Sequence, residues 1–276
     1  IGAIRDESEL SYGNIRLWGS IGFSVFAYIF GILVDKTSIN LVFPAFGIMA
    51  ILVIVITGRI KDEESTDMIT NNIKIKDMKL GRLLKNYSYI TFLIFSMVLY
   101  IPHKASYSFL PTLFADLGAS PGTLGIASSI MAFSEIPIFL FTRKLLRKFK
   151  PVHLILTSSV FFLFRQVAYL TATTSTQIIL AQLLHGPSFA LFLNGAVYYI
   201  DSMAPSELKS TAQTFATALY GGISGIIGSY GGGWVIDNLG IRKLYIIGIY
   251  AIIIITLLFI ASLVIGRSTE HSKPSI

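Results

Sequence analysis

Apolar runs, each long enough to cross a lipid bilayer, recur along the whole of this 276-residue chain. A hydrocarbon layer about 30 Å thick needs roughly 20 apolar residues in helical form. Such spans are read over residues 15–35, 39–59, 88–110, 122–143, 151–172, 175–200, 209–236 and 241–266. Backbone N–H and C=O groups cannot go unpaired in lipid, so spans of this length are helices and the expected fold class is all-α transmembrane. Composition agrees: 53% of residues are hydrophobic and only 13% are charged, against about 25% charged in globular domains. Cysteine is absent, which excludes disulfide and thiolate chemistry.

A net charge of +7 raises the question of nucleic acid as a partner. The cations lie in short loops between apolar runs, however, a placement that suits membrane topology and argues against nucleic acid. If residues 1–14 form a cytoplasmic segment, their side of the membrane also collects Arg5, Arg16, Arg59, Lys61 and the cations up to Lys85, then Arg143 to Lys150, Lys209, Arg267 and Lys273. Only Lys36, Arg242 and Lys243 fall in loops on the other side. The bias places both ends of this chain, including the tail 267–276, in the cytoplasm and the protein in the cell membrane. The chain opens on Ile1, with no charged region leading into a short apolar segment, so an internal start is expected, as a fragment or a processed product.

Residues 60–87 form a long charged connection. Its second half alternates basic and apolar residues and reads either as an amphipathic helix on the inner leaflet or as a solvated linker between two bundles. An internal repeat bears on that choice. Gly31 to Asp35 after the first span matches Gly233 to Asp237 after the seventh, and the two copies begin six spans apart with the same sense across the membrane. A parallel repeat of six helices is the mark of transporters that build equivalent halves around a midplane site. It makes residues 15–59 the last two helices of an N-terminal six-helix bundle, 60–87 the central cytoplasmic loop and 88–266 the C-terminal six-helix bundle. Twelve helices are then expected, eight of them present here.

Ionisable residues inside the spans are expensive, about 2.5–3.5 kcal/mol each at the bilayer centre, and so mark partners or a wet cavity. Lys104, Glu135, Arg165 and His185 are of this kind. At 1.5 Å per residue Glu135 and His185 come out near mid-depth, with Arg165 somewhat nearer the outer face. Glu135 reads as a proton carrier governed by a nearby cation, or as one half of a structural ion pair with Arg165. Arg165 cannot deprotonate, so its role is to pair with Glu135 or to hold an anionic or hydroxylated substrate. His185 is followed by Gly186 and Pro187, which costs the helix a backbone hydrogen bond and frees carbonyls to line a cavity. Gln182 and Asn194 flank it at roughly helical spacings. Lys104 is read as cavity-facing or snorkelling, and Arg16 by composition alone as a cytoplasmic anchor. The glycines of "ALYGGISGIIGSYGGGWV" suit close helix packing rather than phosphate binding. No Walker loop, metal cluster or nucleophile triad is present, so neither an ATP-driven pump nor an enzyme is expected, and no cofactor or metal.

Taken together, "YGNIRLWGSIGF" opening the first span, "SEIP" in the fourth, Arg165 in the fifth and "LLHGPSFALF" in the sixth resemble the major facilitator superfamily. The resemblance is to its branch of lactose-permease-like sugar/proton symporters, nucleoside/proton symporters and phenylpropionate-permease-like proteins. It implies that Arg16 binds substrate with an acid on the preceding helix, that Glu135 contacts substrate and couples it to the proton, that Arg165 modulates deprotonation and that His185 bridges the two. The chain departs from the sugar symporters at Ser188, Gln182, His103, Ser106 and Ile223, where they carry an acid, a lysine, two acids and a lysine. Either Glu135 carries the proton alone, or coupling resides on helices outside this chain. The expectation is a proton-coupled secondary transporter of a small polar or aromatic solute (sugar, nucleoside or aromatic acid), monomeric at full length. A uniporter or exchanger is the near alternative, and a non-transporting sensor or scaffold the distant one.

Overall fold

The computed structural model describes residues 12–59 and 80–271, and all regular structure among them is helical. Of the inner-leaflet helix considered for the second half of the central loop, the part before residue 80 lies outside the described residues, and Leu80–Leu83 is helical. The first two spans are α1 (Tyr12–Lys36) and α2 (Val42–Thr57), joined through a 3-10 turn at Ile39–Leu41. After a short α3 (Leu80–Leu83), the third span is α4 (Tyr87–Ser108), continued by α5 (Leu110–Asp116). The fourth is α6 (Pro121–Leu140), continued by α7 (Thr142–Lys148), and the fifth is α8 (Pro151–Thr171). The sixth is broken into α9 (Ser175–Ala181), a 3-10 turn at Gln182–Leu184, a π turn at Gly186–Ala190 and α10 (Leu191–Met203). The seventh runs as α11 (Lys209–Thr217), a π turn at Ala218–Ile223 and α12 (Ser224–Leu239), and the eighth as α13 (Ile241–His271).

Local chemistry explains these boundaries. Pro121 and Pro151 occupy the first positions of α6 and α8, where the missing N–H costs nothing. Thr174 and Gln177 form a reciprocal capping box on α9. Gly240, at φ 82°, ends α12 in a left-handed turn and starts α13. Six segments are long and apolar enough to cross a membrane: Ile15–Lys36, Ile39–Thr57, Pro121–Leu140, Pro151–Thr171, Ser175–Met203 and Ile241–Gly266. The third and seventh expected spans are equally helical but less apolar. Pro102, His103 and Lys104 dilute the one, and a run of glycines the other.

The packed part of the molecule is stratified. One apolar cluster joins Tyr89, Phe92 and Tyr100 of α4 to Phe139, Phe162, Phe192 and Phe259. A second, at the opposite ends of the same helices, joins Leu110 and Phe114 to Ala127, Tyr169, Ile178 and Tyr245. Between them lie the buried polar residues His103 and Ser106 of α4, Glu135 of α6, Arg165 and Gln166 of α8, and Gln182 and His185 of the broken sixth span. Each of these helices therefore crosses from apolar through polar to apolar surroundings, which puts the polar stratum at mid-depth.

Helix α1 lies along α6 through small residues. A Cβ on Gly125 would stand 2.5 Å from the Cα of Gly31, and one on Gly122 would stand 2.4 Å from the Gly31 carbonyl. At the end of this seam the Asp35 carboxylate accepts from the Gly122 N–H at 2.8 Å and from Ser120 Oγ at 2.9 Å. Asp35 thereby caps the N-terminus of α6 from another helix, where the helix dipole favours negative charge. Helix α2, by contrast, buries no residue against the described chain, and Phe43 and Phe46 are each 75% exposed.

Candidate functional site

The sixth span's interruption positions the site. Pro187 has no N–H to continue an α-helix, and the chain answers with the π turn at Gly186–Ala190. π turns of this kind reorient side chains within a helix. Gly186 lets the turn press against α6: its N–H donates to Ser134 Oγ at 2.8 Å, and an added Cβ would stand 1.9 Å from the Ser134 carbonyl oxygen. Ser134 Oγ also lies 3.3 Å from the Gln182 carbonyl, one of the acceptors exposed by the break. The result brings His185, just before the turn, against Glu135, just after Ser134.

His185 Nε2 is 3.1 Å from Glu135 Oε1, while Ser20 Oγ on α1 donates to Glu135 Oε2 at 2.6 Å. On the other side of the ring, Arg165 Nη1 reaches His185 Nδ1 at 2.8 Å and His103 Nδ1 at 3.4 Å. A guanidinium can only donate, so both Nδ1 atoms accept and both imidazoles are neutral Nε2–H tautomers. The His185 Nε2–H then donates to the Glu135 carboxylate. Arg165 Nε donates to Tyr169 Oη at 2.8 Å, and Tyr169 Oη donates to Gln182 Oε1 at 3.1 Å. One continuous chain of hydrogen bonds thus runs from Ser20 through Glu135, His185, Arg165 and Tyr169 to Gln182. Beside it, Gln166 exchanges bonds with Ser106 and donates to the Pro102 carbonyl at 3.2 Å. That carbonyl lies in the stretch of α4 that carries His103.

This geometry replaces the direct Glu135–Arg165 pair that the sequence allowed. Among the described residues the two are not within salt-bridge distance, and His185 stands between them, bonded to both. Arg165 is 2% exposed and acts from behind the histidines.

Glu135, His103 and His185 line a cavity of about 430 Å³, together with Arg16 and Phe23 of α1 and Lys104 of α4. It continues into a larger space of about 940 Å³ that shares Arg16, Lys104 and Phe189 and extends to Val197, Gln213 and Thr214. Phe189, on the π turn, stacks on His185 with ring centroids 4.8 Å apart. Of the residues singled out from sequence, Glu135, His185, Arg16 and Lys104 therefore meet at one cavity, with Arg165 in contact behind. Gln182 and Asn194 do not line it. Gln182 is fully buried and secures Tyr169; Asn194 is fully buried on α10, and neither of its amide atoms is hydrogen-bonded among the described residues. Between Gln182 and His185 the span tightens into a 3-10 turn, and between His185 and Asn194 it widens into the π turn, so regular helical spacing carries across neither interval.

Ser20 and Tyr169 escaped the sequence reading. Each lies four residues after a basic residue, Arg16 and Arg165 respectively, and so shares its helix face, which is the signal that would have found them. Phe189 follows His185 at the same spacing.

Residues 1–247 match the family described as "MFS_1 like family". An uncharacterized transporter of Bacillus subtilis (strain 168), YwbF, is 25% identical over 242 residues, covering 87% of this chain and 59% of the relative. A maltose permease of Geobacillus stearothermophilus is 24% identical over 237 residues, 86% of this chain and 59% of its own length. A probable 3-phenylpropionic acid transporter of Escherichia coli (strain K12) is 24% identical over 232 residues, 81% of this chain and 58% of its own. The chain thus spans less than two thirds of the length of these relatives.

Proposed function

The chain belongs to the MFS_1 like family, a branch of the major facilitator superfamily, and from that premise we propose that the whole protein is a proton-coupled secondary transporter. It moves a small polar or aromatic solute by alternating access between two bundles, residues 15–59 closing one and 88–266 forming the other. The partners of this chain are the solute, a proton and the lipid bilayer, with no nucleic acid. The protein sits in the cell membrane with both ends of this chain cytoplasmic, as a monomer, and performs no enzymatic chemistry.

One observation carries this reading: the Glu135 carboxylate lines the cavity while bonding across to α1 through Ser20 and back into its own side through His185. A proton arriving at Oε2 reverses the Ser20 bond, since a hydroxyl accepts as readily as it donates. A proton at Oε1 would instead oppose the His185 N–H. Oε2 is therefore the favoured seat, at the junction between α1 and α6, where protonation exchanges a charge-assisted hydrogen bond for a weaker neutral one. Arg165 holds the His185 tautomer and so keeps the Oε1 bond supplied with its donor. Solute entering beside Arg16 and Lys104 meets the same carboxylate, which lets solute and proton influence one another through one group. The relatives' names, a maltose permease and a probable 3-phenylpropionic acid transporter, support the breadth of the solute class.

The test is Glu135→Gln in the full-length protein reconstituted into liposomes. Amide for carboxylate keeps the shape and removes the titrating group, so proton-driven accumulation should vanish while solute exchange persists. Accumulation at the parent level would exclude Glu135 from coupling.

A further inference from the structure

The charge lining the cavity is out of balance. Arg16 and Lys104 line both of its parts, and among the described residues no carboxylate makes a salt bridge with either. Glu135, the acid on the wall, already accepts on both oxygens, from His185 and from Ser20. Arg165 adds a further cation directly behind the histidines. Two other described acids are engaged away from the cavity: Asp35 caps α6, and Asp201 lies 3.8 Å from Lys209 and accepts from Gln213. Arg16 is exposed and Lys104 half-buried, and with Arg165 behind them these three cations face the single carboxylate of Glu135, an excess of positive charge beside partly apolar walls that favours an anion.

The balance of hydrogen-bonding groups points the same way. Arg16, Lys104 and the Nε2–H of His103 are donors, while the acceptors on the wall are the lone pairs left on Glu135 and the hydroxyls of Ser20 and Tyr107. Cationic donors outnumber the one carboxylate here, so a solute that supplies acceptors fits this wall better than one that adds as many donors of its own. A carboxylate brings acceptors alone. Around these cations the wall is apolar and aromatic, with Phe23, Met131 and Phe189. A volume of about 430 Å³ suits one small organic molecule.

We infer that the cavity is built for an organic monoanion, with a carboxylate seated between Arg16 and Lys104 and an aromatic or branched apolar body against Phe189 and Phe23. This names the solute class of the site described above and rests on the transport reading for its meaning in the cell. Lys104 acts as a specificity residue: it separates acids from neutral solutes of the same shape and has no part in holding the bundle together.

Calorimetric titration of the purified full-length protein tests this with 3-phenylpropionate, benzoate and 4-methylpentanoate, each beside its own neutral amide, and with maltose. At least one acid should bind, with its amide weaker by about tenfold or more. Lys104→Gln should weaken that acid by about tenfold and Lys104→Arg should restore most of the affinity, with both variants melting like the parent. Amides binding as well as acids, maltose binding where no acid does, no binding by any acid, or an acid affinity indifferent to Lys104→Gln would each overturn the inference. Counterflow of the bound acid in proteoliposomes reads the other question separately. An acid that binds with this charge preference but is never moved removes the transport reading and leaves the anion site standing.

Discussion

Replacing Gly186 by alanine should disconnect Glu135 from His185 without touching either residue. The new Cβ would sit 1.9 Å from the Ser134 carbonyl oxygen and 2.4 Å from its carbon, both backbone atoms of α6. Reaching ordinary contact at about 3.4 Å requires the π turn and α6 to part by roughly 1.5 Å. Added to the 3.1 Å between His185 Nε2 and Glu135 Oε1, most of that movement takes the pair beyond hydrogen-bond reach. The Gly186 N–H bond to Ser134 Oγ is lost with it. Overpacking costs about 1–3 kcal/mol, and a hydrogen bond to a charged group a further 1.5–3 kcal/mol. Thermal unfolding of the detergent-solubilised full-length protein should therefore show a clear drop in melting temperature. Accumulation in proteoliposomes should fall more steeply than exchange, because the carboxylate loses its fixed donor. Gly81→Ala, where a Cβ meets nothing within 4 Å, is the matched control and should behave like the parent. If Gly186→Ala matched that control in both assays, the close approach of the π turn to α6 would not be what organises the site.

Two further substitutions probe the surroundings. Asp35→Ala removes the acceptor that caps α6 through the Gly122 N–H and Ser120, and should cost about 1 kcal/mol. Cross-linking of paired cysteines across the α1–α6 seam should then become less efficient at the Asp35 end, while Asp35→Asn retains most of the effect. Arg165→Lys supplies a single point donor where the guanidinium serves Tyr169, His185 and His103 at once. Initial uptake should fall by about tenfold or more, whereas parent-level uptake would show that the histidine tautomers are held by something else.

Much of the architecture was legible because lipid imposes few solutions. The spans could be placed from apolar run length, and the two that are less apolar, at 87–108 and 209–239, are diluted by the polar residues and glycines that the sequence already marks. Glu135 and His185 stood out because charge at mid-depth is too costly to be incidental. The order of contact was not legible. Sequence spacing put Glu135 and Arg165 near one another without showing that His185 would come between them. Gln182 and Asn194 flank His185 in sequence, but a 3-10 turn separates the one from it and the π turn the other, and both end up buried in the packing and off the cavity wall.

The division follows from the range of the forces involved. Backbone hydrogen bonding and the transfer of side chains into hydrocarbon are local and nearly additive along the chain, so helix, span and polar depth were determined by the sequence itself. Which atom of His185 donates, which oxygen of Glu135 faces α1, and which cations are left without a partner depend on approaches of an ångström or less between helices distant in sequence. Those approaches are set by Gly31 against Gly125 and Gly186 against Ser134. A glycine says only that a close approach is permitted; the tertiary packing decided what would fill the space.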